Sequence, residues 1–174
     1  MSVATPVAEE RAACAATLVI FGGTGDLARR KLLPALAHLK ASNALPQDLE
    51  LIVTGRNDVS VAEYISSIID LRADRFASSE QTRLGLEALR PLIRTIRLDP
   101  AARGAAEAFA SSLAGIEASA GNRARLFYLA VPPDHVEPFL PVLEPLLDRR
   151  TPCGCRSRII VEKLKERTGL NIIV

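Results

Sequence analysis

Short runs of β-branched and apolar residues alternate along the chain with longer segments of helical period. The first run is Thr17-Leu18-Val19-Ile20-Phe21, closed by Gly22-Gly23. A helical pattern follows over about residues 25–41. The second run is Glu50-Leu51-Ile52-Val53-Thr54, stopped by Gly55. Helical patterns occupy roughly residues 60–74 and 79–89. A third run spans residues 91–98, an Ala-rich helical segment 101–119, and a fourth run 125–131, stopped by Pro132-Pro133. Residues 134–149 have helical character, but Pro138, Pro141 and Pro145 must break or bend it, because proline lacks an N–H and clashes with the preceding turn. The fifth run covers residues 157–162. Runs that are apolar on both faces and separated by helices belong in a parallel sheet covered on both sides. Right-handed crossovers then give a doubly wound α/β domain, Rossmann-like, with five strands. Residues 1–16 read as a flexible leader, 17–163 as the domain, and 164–174 as a tail of different character.

Composition narrows the function classes. With 174 residues the chain holds one domain. Its 22 basic and 20 acidic residues leave a net charge of +2, which makes no electrostatic case for a nucleic-acid or membrane-surface partner. No apolar run approaches the ~18 residues that span a bilayer. Cys14, Cys153 and Cys155 form neither a disulfide framework nor a metal site, so reduced thiols and a cytoplasmic location are expected, with no bound metal.

The candidate chemistry lies in Ile20-Phe21-Gly22-Gly23-Thr24-Gly25-Asp26-Leu27-Ala28. Gly23, Gly25 and Ala28 satisfy G-x-G-x-x-A, and Gly22 extends the match to G-x-x-G-x-x-A. The loop follows a predicted strand and opens a predicted helix, the context that gives a glycine triplet meaning. A sharp turn needs positive φ, and a backbone that meets a pyrophosphate has no room for Cβ. The first-turn N–H groups and the helix dipole favour an anion. A dinucleotide site usually adds an acid at the end of the second strand to bind a ribose hydroxyl. Here Thr54-Gly55-Arg56-Asn57 puts an arginine there, suited to a ribose 2′-phosphate, which points to NADP over NAD. In the first helix, Lys31 lies about two turns past Gly25 and Pro34 predicts a local kink.

These residues resemble a known family. The segment FGGTGDLARRKLLP, from Phe21 to Pro34, is similar to the coenzyme loop of glucose-6-phosphate dehydrogenases, G-x-x-G-D-L-A-x-x-K. The similarity continues through residues 52–56, Asn122-Arg123, residues 126–133 and residues 158–163, in the family's order. The resemblance implies NADP-dependent oxidation of glucose 6-phosphate to the 6-phosphogluconolactone, the first step of the oxidative pentose phosphate pathway. It implies that Gly22, Gly23, Thr24, Gly25, Asp26 and Leu27 line the coenzyme site and that Arg56 holds the 2′-phosphate. It also places Ala130 and Pro132 near the nicotinamide, with Lys31 and Lys163 reaching toward substrate.

Two departures bear on activity. Glu162-Lys163 is followed by Leu164-Lys165-Glu166 where the family has Pro-Phe-Gly, and the family's Arg-Ile-Asp-His-Tyr-Leu-Gly-Lys-Glu segment has no counterpart. His38 and His135 read as structural or solvated, which leaves no catalytic residue to assign. The expectation is a shortened coenzyme domain that binds NADP without turnover and self-associates through its fifth strand and tail. A non-catalytic NADP-binding regulatory module is the alternative. A short-chain reductase ranks lower, because Tyr128 and Tyr64 do not supply that class's Tyr-x-x-x-Lys pair.

Overall fold

The computed structural model describes residues 15–73, 80–118, 123–147 and 157–161. The leader up to residue 14, all three cysteines, Lys163 and the tail lie outside the described residues. Five parallel strands form one sheet: β1 (Ala15–Phe21), β2 (Leu49–Gly55), β3 (Ile93–Arg97), β4 (Arg123–Leu129) and β5 (Arg158–Val161). Their spatial order is β3-β2-β1-β4-β5. The chain therefore winds outward in one direction from β1 to β3, then returns to place β4 on the other side of β1. That reversal makes the C-terminal ends of β1 and β4 a topological switch point, where open α/β sheets leave a crevice.

Alternation within the strands explains the layers. Leu18 and Ile20 of β1, with Leu51 and Val53 of β2, pack on one face beneath α1 (Leu33–Ala41), α2 (Val61–Ala73) and α3 (Glu80–Leu89). Val19, Phe21, Ile52, Phe127 and Leu129 pack on the other face beneath α4 (Ala105–Ala118) and α5 (Leu140–Leu147). Phe21 anchors the second layer, its ring 5.4 Å from those of both Phe109 and Phe139. On the first face α1 and α3 touch backbone to backbone. A Cβ on Gly85 would stand 2.3 Å from the Ala37 carbonyl oxygen.

Several boundaries shift from those expected, each for a local reason. β1 begins two residues early, because Ala15 and Ala16 already pair with Arg123 and Ala124 of β4. β3 starts at Ile93 and not at residue 91, since Arg90–Leu92 form a 3-10 turn around Pro91. β4 ends at Leu129, although the Ala130 N–H still donates to the Phe21 carbonyl at 2.9 Å. The proline-rich segment before α5 breaks into 3-10 turns at Pro133–His135 and Glu137–Phe139. However, α5 carries Pro141 in its first turn, where no intrahelical N–H is needed, and continues through Pro145, so these two prolines, contrary to expectation, do not end the helix. The kink expected at Pro34 takes the form of a π-turn, Ala28–Leu32. The Leu33 N–H reaches back to the Ala28 carbonyl, and Pro34 offers no N–H to restore the α spacing. On β5, Ile159 and Val161 pack into the second layer while Ile160 is 41% exposed on the opposite face.

Candidate functional site

The crevice at the switch point has a volume of about 490 Å³. Gly22, Thr24, Gly25, Arg56, Ala130 and Pro132 line it together, although they come from three separate βα connections. Thr54, Gly55, the segment Leu98–Ala101, Val131, His135, Pro138 and Phe139 complete the wall.

The loop after β1 is built by glycines with different duties. Gly22 has φ +70°, and a Cβ there would meet Val131 Cγ1 at 2.5 Å and the Ala130 carbonyl at 3.0 Å. It is therefore fixed by conformation and by the approach of the β4 end. Gly23 points inward, where a Cβ would lie 2.7 Å from Val53 Cγ1 and 3.0 Å from the Ile20 carbonyl. It does not line the crevice, so its constraint is packing between loop and sheet. The Gly25 N–H donates to the Gly22 carbonyl at 2.9 Å and closes the turn. A Cβ on Gly25 would touch only that carbonyl, at 3.0 Å, so this glycine keeps the crevice floor open. Helical residues begin at Asp26, so first-turn N–H groups face the crevice end of the helix. Ala28 is fully buried beside the sheet, which lets the helix lie close.

The remaining predicted residues fall in different places. Asp26 is exposed and pairs with Arg30, one turn on. Leu27 packs against the first core layer. Lys31 is exposed on the π-turn and is not part of the crevice wall. Lys163 is outside the described residues. Arg56 is exposed at the rim, next to Gly55. Gly55 has its own reason to be glycine, since a Cβ would collide with the Thr24 side chain at 2.5 Å.

Three residues have positions that their sequence context did not signal. Tyr64 on α2 is buried and donates its hydroxyl to the Gly23 carbonyl, propping the loop from beneath. Burial pushes its phenol well above the ordinary value, and the Arg29 charge opposes this only in part, so Tyr64 stays a donor at working pH. Removing the hydroxyl with Tyr64→Phe leaves a carbonyl without its partner. Stability should fall by about 1 kcal/mol, read from urea unfolding, with weaker nucleotide affinity as the loop loosens. Thr54, also buried, aims its hydroxyl at the Ile20 carbonyl at 3.4 Å. His135, read from sequence as structural or solvated, stands in the crevice wall, where its N–H donates to the Pro132 carbonyl at 2.8 Å. The diproline that stops β4 supplied the only hint, because it turns the chain back across the strand ends. Among the described residues no cluster of His, Cys, Asp and Glu is arranged to hold a metal, and no helix is long and apolar enough to cross a membrane.

Comparison with known proteins gives this geometry a family. A glucose-6-phosphate 1-dehydrogenase of Rhizobium meliloti (strain 1021) is 31% identical over 145 residues, covering 83% of this chain and 28% of that enzyme. The corresponding protein of Buchnera aphidicola subsp. Schizaphis graminum is 48% identical over 62 residues, 36% of this chain and 12% of its own. The chain thus spans less than a third of the length of these relatives. A solved glucose-6-phosphate dehydrogenase, in complex with its substrate glucose-6-phosphate, superposes with a TM-score of 0.66 over 86% of this chain and 30% of that one. At 22% identity that likeness speaks for the fold alone. The family model "Glucose-6-phosphate dehydrogenase, NAD binding domain" matches residues 19–164, most of the chain, and the protein therefore belongs to that family.

Proposed function

We propose that this chain is the NADP-holding part of a glucose-6-phosphate dehydrogenase, with residues 17–163 as the working unit. The observation that carries the reading is the convergence of Gly22, Thr24, Gly25, Arg56, Ala130 and Pro132 on one crevice at the switch point. The crevice fits a dinucleotide. Its floor is kept free of Cβ atoms at Gly22 and Gly25, and its rim at the end of β2 carries a guanidinium in place of the acid that favours NAD. Bound there, the nicotinamide would accept a hydride from C1 of the sugar phosphate.

The chain's own residues would do the positioning. The Gly22–Gly25 turn and the helix end behind it receive the pyrophosphate, Arg56 grips the 2′-phosphate, and Ala130 and Pro132 flank the nicotinamide. Asp26 supports the helix start through Arg30, Gly23 and Leu27 hold the loop against the core, and Lys31 and Lys163 remain assigned to the substrate side by resemblance. Association of chains through the fifth strand and tail belongs to the same proposal.

The test is calorimetric titration of the 174-residue chain with NADP and with NAD. NADP should bind more tightly. NAD binding as well, or neither binding, would sink the assignment. With glucose 6-phosphate added, the chain alone should generate no NADPH, because oxidation needs a base held within hydrogen-bond reach of the C1 hydroxyl. The absence of turnover with intact binding also suits a regulatory NADP-binding module. Turnover that survives repurification would remove that alternative and would put His135 forward as the base.

A further inference from the structure

We propose that Arg97 is a second specificity-determining residue for the 2′-phosphate, forming a two-guanidinium clamp with Arg56. The inference rests on the NADP reading above. β2 and β3 are paired in register to their last residues, with Gly55 opposite Arg97. The Leu98 N–H then donates to the Gly55 carbonyl at 2.8 Å, so the ladder holds firm to the sheet's edge. From that fixed point the Arg97 side chain crosses to the residue just past β2, where its Nε donates to the Arg56 carbonyl at 3.2 Å. Arg97 therefore lies against the backbone of the residue that would meet the phosphate.

Among the described residues the remaining donors of Arg97 have no partner. Among the described residues neither Arg56 nor Arg97 forms an ion pair. Acids are present nearby, which makes this informative. Asp58 and Glu63 share with Arg97 a depression beside the crevice, and Asp99 shares another. Glu63 is committed to Ser60, accepting from its N–H and its hydroxyl. Asp58 and Asp99 stand within ion-pair distance of neither guanidinium. Two exposed like charges at adjacent strand ends, one anchored to the other's backbone, repel until an anion lies between them. A phosphate dianion beside a ribose meets that need, and a bare ribose hydroxyl does not.

The anchoring bond and the charge can be separated. Arg97→Gln retains a side-chain donor for the Arg56 carbonyl and removes the charge, while Arg97→Lys retains the charge on a different head. Adenosine 2′,5′-bisphosphate and 5′-AMP probe this end of the site without the nicotinamide. The wild-type chain should prefer the bisphosphate. Arg97→Gln should weaken the bisphosphate and NADP about fivefold, leave 5′-AMP and NAD within experimental error, and flatten the salt dependence of bisphosphate binding. Arg97→Lys should recover part of the loss. Equal losses for all four ligands would mean that Arg97 only supports the backbone, and no loss for any would mean that it does not reach the phosphate. Either result overturns the proposal. A wild-type chain with no preference for the bisphosphate would instead overturn the NADP reading, and the clamp with it.

Discussion

Gly22→Val should destabilise the chain by about 3 kcal/mol, whereas Gly25→Val should keep most of the stability and lose nucleotide binding. The two glycines are three residues apart in one loop, yet their surroundings differ. Gly22 adopts φ +70°, where a β-branched L-residue costs about 1–2 kcal/mol. Its new Cβ would also press to 2.5 Å from Val131 Cγ1 and 3.0 Å from the Ala130 carbonyl. The carbonyl belongs to the residue whose N–H closes the ladder to Phe21, so it cannot retreat without opening the end of the sheet. Overpacking of this kind adds about 1–3 kcal/mol. Gly25 lies outside the positive-φ region, and its Cβ meets a single atom, the Gly22 carbonyl, at 3.0 Å. A shift of a few tenths of an ångström relieves that contact. The valine methyls then occupy the crevice where a pyrophosphate would lie, and affinity should drop by about a hundredfold or more, some 2.7 kcal/mol. Urea unfolding followed by circular dichroism reads the first effect and calorimetric titration with NADP the second. If Gly25→Val unfolds as readily as Gly22→Val, the glycine serves the turn, and the loop loses its claim to a ligand.

That contrast marks what a chain's local pattern conveys. The strand–glycine–helix sequence from Ile20 to Ala28 announces a βα turn, because each of its constraints is local. It does not distinguish Gly22, held by the end of β4, from Gly23, held by Val53 of β2, because both neighbours are distant in sequence. Tyr64 is a similar case. Its residue type and helical setting suit an ordinary core position, and only the fold brings its hydroxyl under Gly23, 41 residues away in sequence. The inner strands were legible because both of their faces are apolar, as Val19 and Ile20 show by packing into opposite layers. Their ends were less so. Termination depends on pairing partners, such as Arg123 and Ala124 of β4 extending β1 back to Ala15. The π-turn at Ala28–Leu32 was legible only as a disturbance, since Pro34 dictates that an N–H is missing and not which carbonyl the preceding N–H will choose. Arg56 was readable because a single position at the end of β2 changes sign. Arg97 was hidden, because its relevance depends on β3 lying beside β2.

Arg56→Ala should cost NADP about 1.5 kcal/mol, more than a tenfold loss of affinity, and leave NAD unchanged. A charge-assisted contact to phosphate contributes roughly 1.5–3 kcal/mol. The low end applies because Arg56 is exposed at the rim, where water and salt screen it. The side chain is not used elsewhere among the described ion pairs, and the bond from Arg97 reaches its carbonyl, which alanine retains. The variant should therefore unfold at nearly the same urea concentration as the wild type. Its effect then resides in the ligand, and the two coenzymes separate the possibilities. NAD has a hydroxyl where NADP has a 2′-phosphate, so it loses nothing when the guanidinium is removed. Raising the ionic strength should weaken NADP binding to the wild type more steeply than to Arg56→Ala, and should leave NAD nearly level for both. Calorimetric titrations at several salt concentrations measure all of these quantities. Parallel losses for NADP and NAD would mean that Arg56 stacks on the adenine that both share. The preference for NADP would then have to come from another group at the end of the sheet.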